Sequence, residues 1–183
     1  MTGELLVSAG EDGRADAAAR ARVVVMGVSA SGKSSVGAEL ARLIGARFVD
    51  ADDLHPAANV AKMAAGIPLE DEDRWPWLDA VAATITDAER TVVACSALKR
   101  SYRDRLRDAA PGVVFVHLTG SPELLAARAG GREGHFMPPA LLSSQLDTLQ
   151  PLGDDEVGVA LDVTAPVADL ARAARGWLDA RAR

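Results

Sequence analysis

Short apolar runs and amphipathic stretches alternate along the chain from residue 23 onward. Val23, Val24, Val25 and Met26 are apolar at consecutive positions, as a strand buried on both faces requires, and predict a strand over about 23–28. The period then becomes helical. Val36, Leu40, Leu43 and Ile44 share one face of a helix over about 33–44, which Gly45 ends. A second strand is expected over 47–50. His55-Pro56 opens a helix through Ala65, closed by Gly66 and Pro68. Asp71, as N-cap, starts a helix to about Ala88 with acidic residues in its first turn. Residues 91–95 read as a third strand, 98–109 as a basic helix stopped by Pro111-Gly112, and 113–118 as a fourth strand. Ser121-Pro122-Glu123 has the form of a helix start, with a capping serine and proline at the first position. A helix over about 139–149, a fifth strand over 157–163 and a helix from about Pro166 complete the series. On that last helix Val167, Leu170, Ala174, Trp177 and Leu178 share one face.

Strands alternating with helices at short spacing imply βαβ units. The expected fold is therefore α/β and three-layered: a five-stranded parallel sheet with helices on both faces. Such sheets bind ligands at the carboxyl ends of their strands. The chemistry-bearing segments fall there: residues 27–35 after the first strand, Asp50, Asp52 and Asp53 after the second, and 96–100 after the third.

Composition narrows the function. At 183 residues the chain is sized for one domain, expected over 23–183, preceded by a loosely ordered extension over 1–22. That extension carries Glu4, Glu11, Asp12 and Asp16 and no extended apolar centre, so it does not read as a signal peptide. No apolar run approaches about 18 residues. Cys95 is the sole cysteine, which excludes an intrachain disulfide and points to a cytoplasmic setting. A net charge of −6 argues against nucleic-acid and membrane binding. Any polyanionic ligand must be held by local cations.

Residues 27–34 supply such a place, reading G-x-x-x-x-G-K-S between an apolar strand and an amphipathic helix. Glycine lets the chain curl so that successive N–H groups face phosphate oxygens. Lys33 adds a mobile cation, the Ser34 hydroxyl can ligate Mg²⁺, and the helix aims its positive end at the same anion. Two carboxylates beside a nucleotide can divide two tasks, holding the metal and accepting a proton from an attacking hydroxyl. No Asp follows the third strand, so Asp50 is the best metal candidate; Asp52 either takes the second task or sits in a solvated turn, and Asp53 either joins them or only caps the next helix. His55, Asn59 and Lys62 share a face that suits a polyhydroxy anion or simply meets water. Arg74 either clamps a carboxylate or pairs with Asp71. Lys99, Arg100 and Arg103 can converge on the third strand's end, while Arg105 and Arg107 face solvent; His117, within a strand, is structural and Trp77 packs its helix on the sheet. Between 128 and 139, Arg128, Arg132 and His135 stand among Gly130, Gly131, Gly134, Pro138 and Pro139, as a mobile cationic lid would need.

The strings GVSASGKSS, DADDLHPAANVAKMAAGIPLEDEDRWPWL, ACSALKRSYRDRLR and ARAGGREGHFMPPALLSSQLDTLQPL resemble the gluconokinases, small phosphate-loop kinases related to shikimate and adenylate kinases. The resemblance covers about residues 22–180. It implies the P-loop kinase fold, commonly a homodimer, and transfer of phosphate from Mg-ATP to the 6-hydroxyl of D-gluconate. It gives the ATP phosphates to Gly27, Ser29, Ala30, Ser31, Gly32, Lys33, Ser34 and Ser35, the substrate hydroxyl to Asp52, and the lid to Arg128 and Arg132. It sets the segment ending in Pro166 against the adenine. His55, Lys62, Arg74, Ser96, Lys99, Arg103 and His135 form the expected substrate set, with Lys33, Asp52 and Arg128 catalytic. One departure is Ala30, where the family loop usually has glycine; a positive φ there would strain it. Gly130-Gly131 is also more flexible than the pair usual in the lid hinge. A kinase for another small hydroxy acid such as shikimate, and a nucleotide-dependent switch, are the alternatives.

Overall fold

The computed structural model describes residues 21–130 and 139–183. Most of the N-terminal extension, and Arg132 and His135 of the expected lid, lie outside the described residues. The elements follow in order as β1 (Ala21–Met26), α1 (Lys33–Ile44), β2 (Arg47–Asp50), a 3-10 turn (Ala51–Leu54), α2 (Ala57–Ala64), α3 (Asp71–Thr86) and β3 (Arg90–Ala94). Then come α4 (Arg100–Ala109), β4 (Val114–Thr119), α5 (Pro122–Gly130), α6 (Pro139–Thr148), β5 (Gly158–Asp162) and α7 (Val167–Arg181).

All five strands run parallel, in the order β2-β3-β1-β4-β5. Alternation along β1 divides its side chains between two cores. Val23 and Val25 join Val36, Leu40 and Ala41 of α1 and Leu170, Ala171 and Ala174 of α7 on one face. Val24 and Met26 join Trp77, Leu78, Val81 and Ile85 of α3 and Tyr102 and Leu106 of α4 on the other. The consecutive apolar positions of β1 are thus explained by helices on both sides. β3 lies to one side of β1 and β4 to the other, so the carboxyl end of β1 is the topological switch point of the sheet.

Several boundaries differ from the sequence expectation. β1 starts at Ala21, taking two residues from the expected extension; Ala21 N–H bonds to Glu89 O at 3.1 Å. Asp71 does not cap α3. Glu70 is the cap, with its N–H bonded to Asp73 Oδ2 at 2.9 Å. The basic helix begins at Arg100 rather than 98, because Ala97 holds a φ of 43° that no α-helix can include. α5 continues through Gly130, so Arg128 sits on a helix and not in a loop.

Candidate active site

The phosphate loop is shaped by two glycines. Gly27 holds a φ of 145°, and a Cβ there would lie 2.7 Å from Leu118 O and 2.9 Å from Ser31 Oγ, so only glycine lets β1 turn out of the sheet. Gly32, with a φ of 92°, is the N-cap of α1. Ala30 is left-handed too, at a φ of 63°, the conformation in which the sequence reading expected strain. Lys33 curls back over the loop, its Nζ donating to Val28 O at 3.0 Å. Ser31 Oγ is buried without a partner among the described residues, an orphan polar atom inside an anion cradle.

β2 delivers the carboxylates. Ser34 Oγ donates to Asp50 Oδ2 at 2.5 Å, and Asp50 Oδ1 accepts from Asp52 N–H at 3.1 Å. Asp50 is thereby fixed at the loop, while Asp52 stands exposed in the 3-10 turn one step further out. Cys95, at the end of β3, records the convergence. Burial pushes its thiol up to about 12, Lys33 pulls it down, and Asp52 and Asp50 push it further up. The thiol is inert. Mg²⁺ takes oxygen ligands and keeps several waters, so two protein oxygens plus phosphates suit it. Ser34 and Asp50 offer that donor set, and no cluster of three or more acidic, His or Cys side chains competes among the described residues.

Facing these groups is a polar wall built by α2, α3 and α4. The His55 ring stacks on Trp77 at 4.4 Å with 9° between planes. Burial lowers its pKa, opposed by Asp52 and assisted by Arg74, so the imidazole is neutral near pH 7. Asn59 Nδ2 lies 3.3 Å from His55 Nδ1 and donates to Asp73 O at 2.8 Å. An amide nitrogen only donates, so Nδ1 is the acceptor and the ring proton sits on Nε2. Lys62 and Lys99 are not the free cations the sequence suggested. Lys62 Nζ lies 2.7 Å from both oxygens of Asp73, and Lys99 Nζ lies 2.7 and 2.9 Å from those of Asp71. Tyr102 OH donates to the same Asp71 at 2.5 Å. Bonds from Lys99 and Tyr102 hold Asp71 below the usual carboxylate range, and those from Lys62 and the Glu70 N–H do the same for Asp73. Arg74 bonds only weakly, to Leu69 O at 3.4 Å, and its guanidinium lies 5.7 Å from the Tyr102 ring centroid. It does not pair with Asp71.

Arg103 requires a correction. Its side chain is fully buried and bonds Glu156 at 2.6 and 2.8 Å and the carbonyls of Ala97, Leu98, Gln150 and Pro151. With every donor turned inward it cannot reach a substrate; it fastens the loop that carries Ser96 and Lys99. Arg100 is drawn outward by Asp155, at 2.8 and 2.5 Å. Arg105 and Arg107, expected to face solvent, are partly exposed but paired with Asp79 and Asp104. Ser96 O accepts from Gly27 N–H at 3.3 Å, which joins that loop to the phosphate loop. Arg128 Nη2 donates to Val163 O at 2.6 Å, against the turn that ends at Pro166, the N-cap of α7. Asp71, Tyr102 and Gln145, whose Oε1 accepts from Ser29 N–H at 2.7 Å, were not foreseen. Tyr102 alone had a signal, standing one turn beyond Lys99 on a helix.

A phosphate loop at the switch point of a parallel sheet, with a serine–aspartate pair at its helix start, defines a phosphate-loop phosphotransferase. The family described as an AAA domain matches residues 23–152. The thermosensitive gluconokinase of Escherichia coli K12 is 45% identical over 157 residues, covering 83% of this chain and 84% of that protein. A solved gluconokinase from Sinorhizobium meliloti 1021 superposes with a TM-score of 0.83 at 50% identity, covering 90% of this chain and 94% of the other. The chain belongs to the gluconokinase family. A shikimate kinase from Aquifex aeolicus shares the fold alone, with a TM-score of 0.57 at 16% identity over 88% of this chain and 98% of the other.

Proposed function

We propose that this chain transfers the γ-phosphoryl group of ATP to the 6-hydroxyl of D-gluconate, giving 6-phosphogluconate and ADP. The observation that carries this reading is the exposed Asp52 beside the Ser34–Asp50 pair, opposite a wall of neutral imidazole and partly satisfied cations. The identity to named gluconokinases supports it.

In this reading Gly27–Ser35 cradle the phosphates, and Lys33 swings from Val28 O to the β- and γ-oxygens. Ser34 and Asp50 would hold Mg²⁺, which would supply charge that neutralises the phosphates. Asp52 orients the 6-hydroxyl and takes its proton as the phosphoryl group moves in line. His55 donates from Nε2 to a sugar hydroxyl. Arg74 and Lys99 hold the carboxylate, Lys99 sharing its ammonium with Asp71. Arg128, with Arg132, neutralises charge on the oxygens in flight, His135 belongs to the substrate set, and the segment before Pro166 backs the adenine. Catalysis is then positioning and electrostatics.

A homodimer is the state the family resemblance supports, and a cytoplasmic setting agrees with the lone buried Cys95. No helix among the described residues is long and apolar enough to cross a membrane. A coupled ADP-release assay across gluconate, idonate, shikimate and neutral sugars tests the reading. Gluconate is expected to give the highest kcat/KM; a higher value for shikimate, or ADP release independent of any acid, overturns it.

A further inference from the structure

One donor of the phosphate loop is already engaged, by a side chain from a distant part of the sequence. Ser29 N–H donates to Gln145 Oε1 at 2.7 Å, between residues 116 positions apart. Gln145 is half-buried on α6. Leu142 lies in the same core as Val28. Just past the helix, Gln150 N–H donates to Leu98 O at 2.8 Å, and Gln150 Oε1 accepts from Arg100 N–H. The helix therefore ties the loop after β1 to the loop after β3, the two segments that must meet across the reacting groups.

The residue after Ser29 explains why such a tie matters. Ala30 sits at a φ of 63° without the freedom of glycine, so the turn is under steric strain. The Ser29 N–H stands one residue before the strained position, so its bond to Gln145 anchors the chain on that side of the turn. A hydrogen bond at that point opposes relaxation of the turn, and its strength is of the same order as the strain. The donors nearer α1, from Gly32 to Ser34, do not depend on it, because the helix start holds them.

We propose that Gln145 is a positioning residue for phosphoryl transfer: its side-chain carbonyl holds the Ser29 peptide, and with it the Ala30 turn, where the γ-phosphoryl end of the triphosphate is seated. The inference rests on reading the chain as an ATP-dependent gluconate kinase. It assigns Gln145 no contact with either substrate.

The test is Gln145→Met, which keeps length and removes the acceptor, assayed in the full chain beside Ala30→Gly and the double variant. Gln145→Met should lower kcat about tenfold or more, since small misplacements of a reacting group have large effects on rate. The Kd for ADP should stay within about twofold and the melting temperature should hold, because the cradle at α1 is intact. The double variant should recover much of the loss, as glycine accepts the turn without help. A kcat within twofold of the parent overturns the proposal. So does a loss that follows ADP affinity or melting temperature and ignores Ala30→Gly, or tighter nucleotide binding at unchanged kcat. The parent's own turnover of gluconate tests the functional reading separately, and the ratio of variant to parent is taken on whichever acid the parent phosphorylates.

Discussion

Ala30 is the residue at which this chain departs from an easy phosphate loop, and its φ of 63° makes the departure measurable. Left-handed backbone costs an L-residue about 1 to 2 kcal/mol, part of which glycine's looser unfolded chain gives back. Ala30→Gly should therefore raise stability by about 1 kcal/mol in urea unfolding; a loss would mean the strain is relieved elsewhere. Lys33→Ala should lower turnover by roughly 10²–10³, the usual effect of deleting one donor that meets developing charge. Asp52→Asn should spare nucleotide binding and abolish transfer; weakened ADP binding with transfer retained would assign the proton to another group. At this scale the sequence was most readable where chemistry fixes spacing. The G-x-x-x-x-G-K-S string and an aspartate closing the next strand singled out Ser34 and Asp50, and the fold sets the two in contact. It was least readable where a charge finds its partner through the fold. Lys62 and Lys99 look free on a linear chain, yet Asp73 and Asp71 meet them from 11 and 28 positions away.

The elements were legible because each carries one period: consecutive apolar residues in strands covered on both faces, and spacings of three and four in α1 and α7. Their ends were less so. The 3-10 turn over Ala51–Leu54 has no apolar period, and Glu70 caps α3 in place of the better capping residue Asp71, whose carboxylate is committed to Lys99 and Tyr102. α4 shows the limit most clearly. Arg103 was expected to converge with Lys99 and Arg100 on the end of β3, but it points inward to Glu156, 53 positions on, and both side chains are fully buried. Nothing local marks Arg103 as the arginine of this helix whose guanidinium is buried against a distant glutamate. Breaking a buried pair leaves a charge without compensation and costs about 3 to 5 kcal/mol. Glu156→Gln is expected to lose that amount in urea unfolding. It should also weaken gluconate more than nucleotide, because the loop it fastens carries Ser96 and Lys99. A loss below about 1 kcal/mol would mean the site stays hydrated.

For the whole molecule, acid sensitivity is set by a histidine inside the sheet rather than by the surface carboxylates. His117 on β4 is nearly inaccessible, pairs in register with Met26 and Ala160, and leaves Nε2 without a partner among the described residues. Burial, reinforced by the Arg103 guanidinium, lowers its pKa from 6.5 to about 4. Between those values the unfolded chain binds a proton that the folded chain refuses. Stability is then complete above pH 6.5 and falls as the pH drops through the window to about 4. At about 1.4 kcal/mol per tenfold change in proton affinity, the full loss is about 3 kcal/mol and the loss by pH 5 about 2. Carboxylates held low by their partners, Asp71, Asp73 and Asp155 (the last at about 2), remain ionised across this window and lose their contributions only below it. The buried pKa of His55 shifts in the same direction, so the two contributions must be separated by difference. His117→Leu removes the proton site while keeping an apolar body between β1 and β5. Its stability should fall less than the parent's between pH 7 and pH 5, by about 2 kcal/mol, when urea midpoints are compared at each pH. Parallel pH profiles for the two proteins would show that the imidazole finds a proton partner in the folded state and that acid unfolding begins elsewhere.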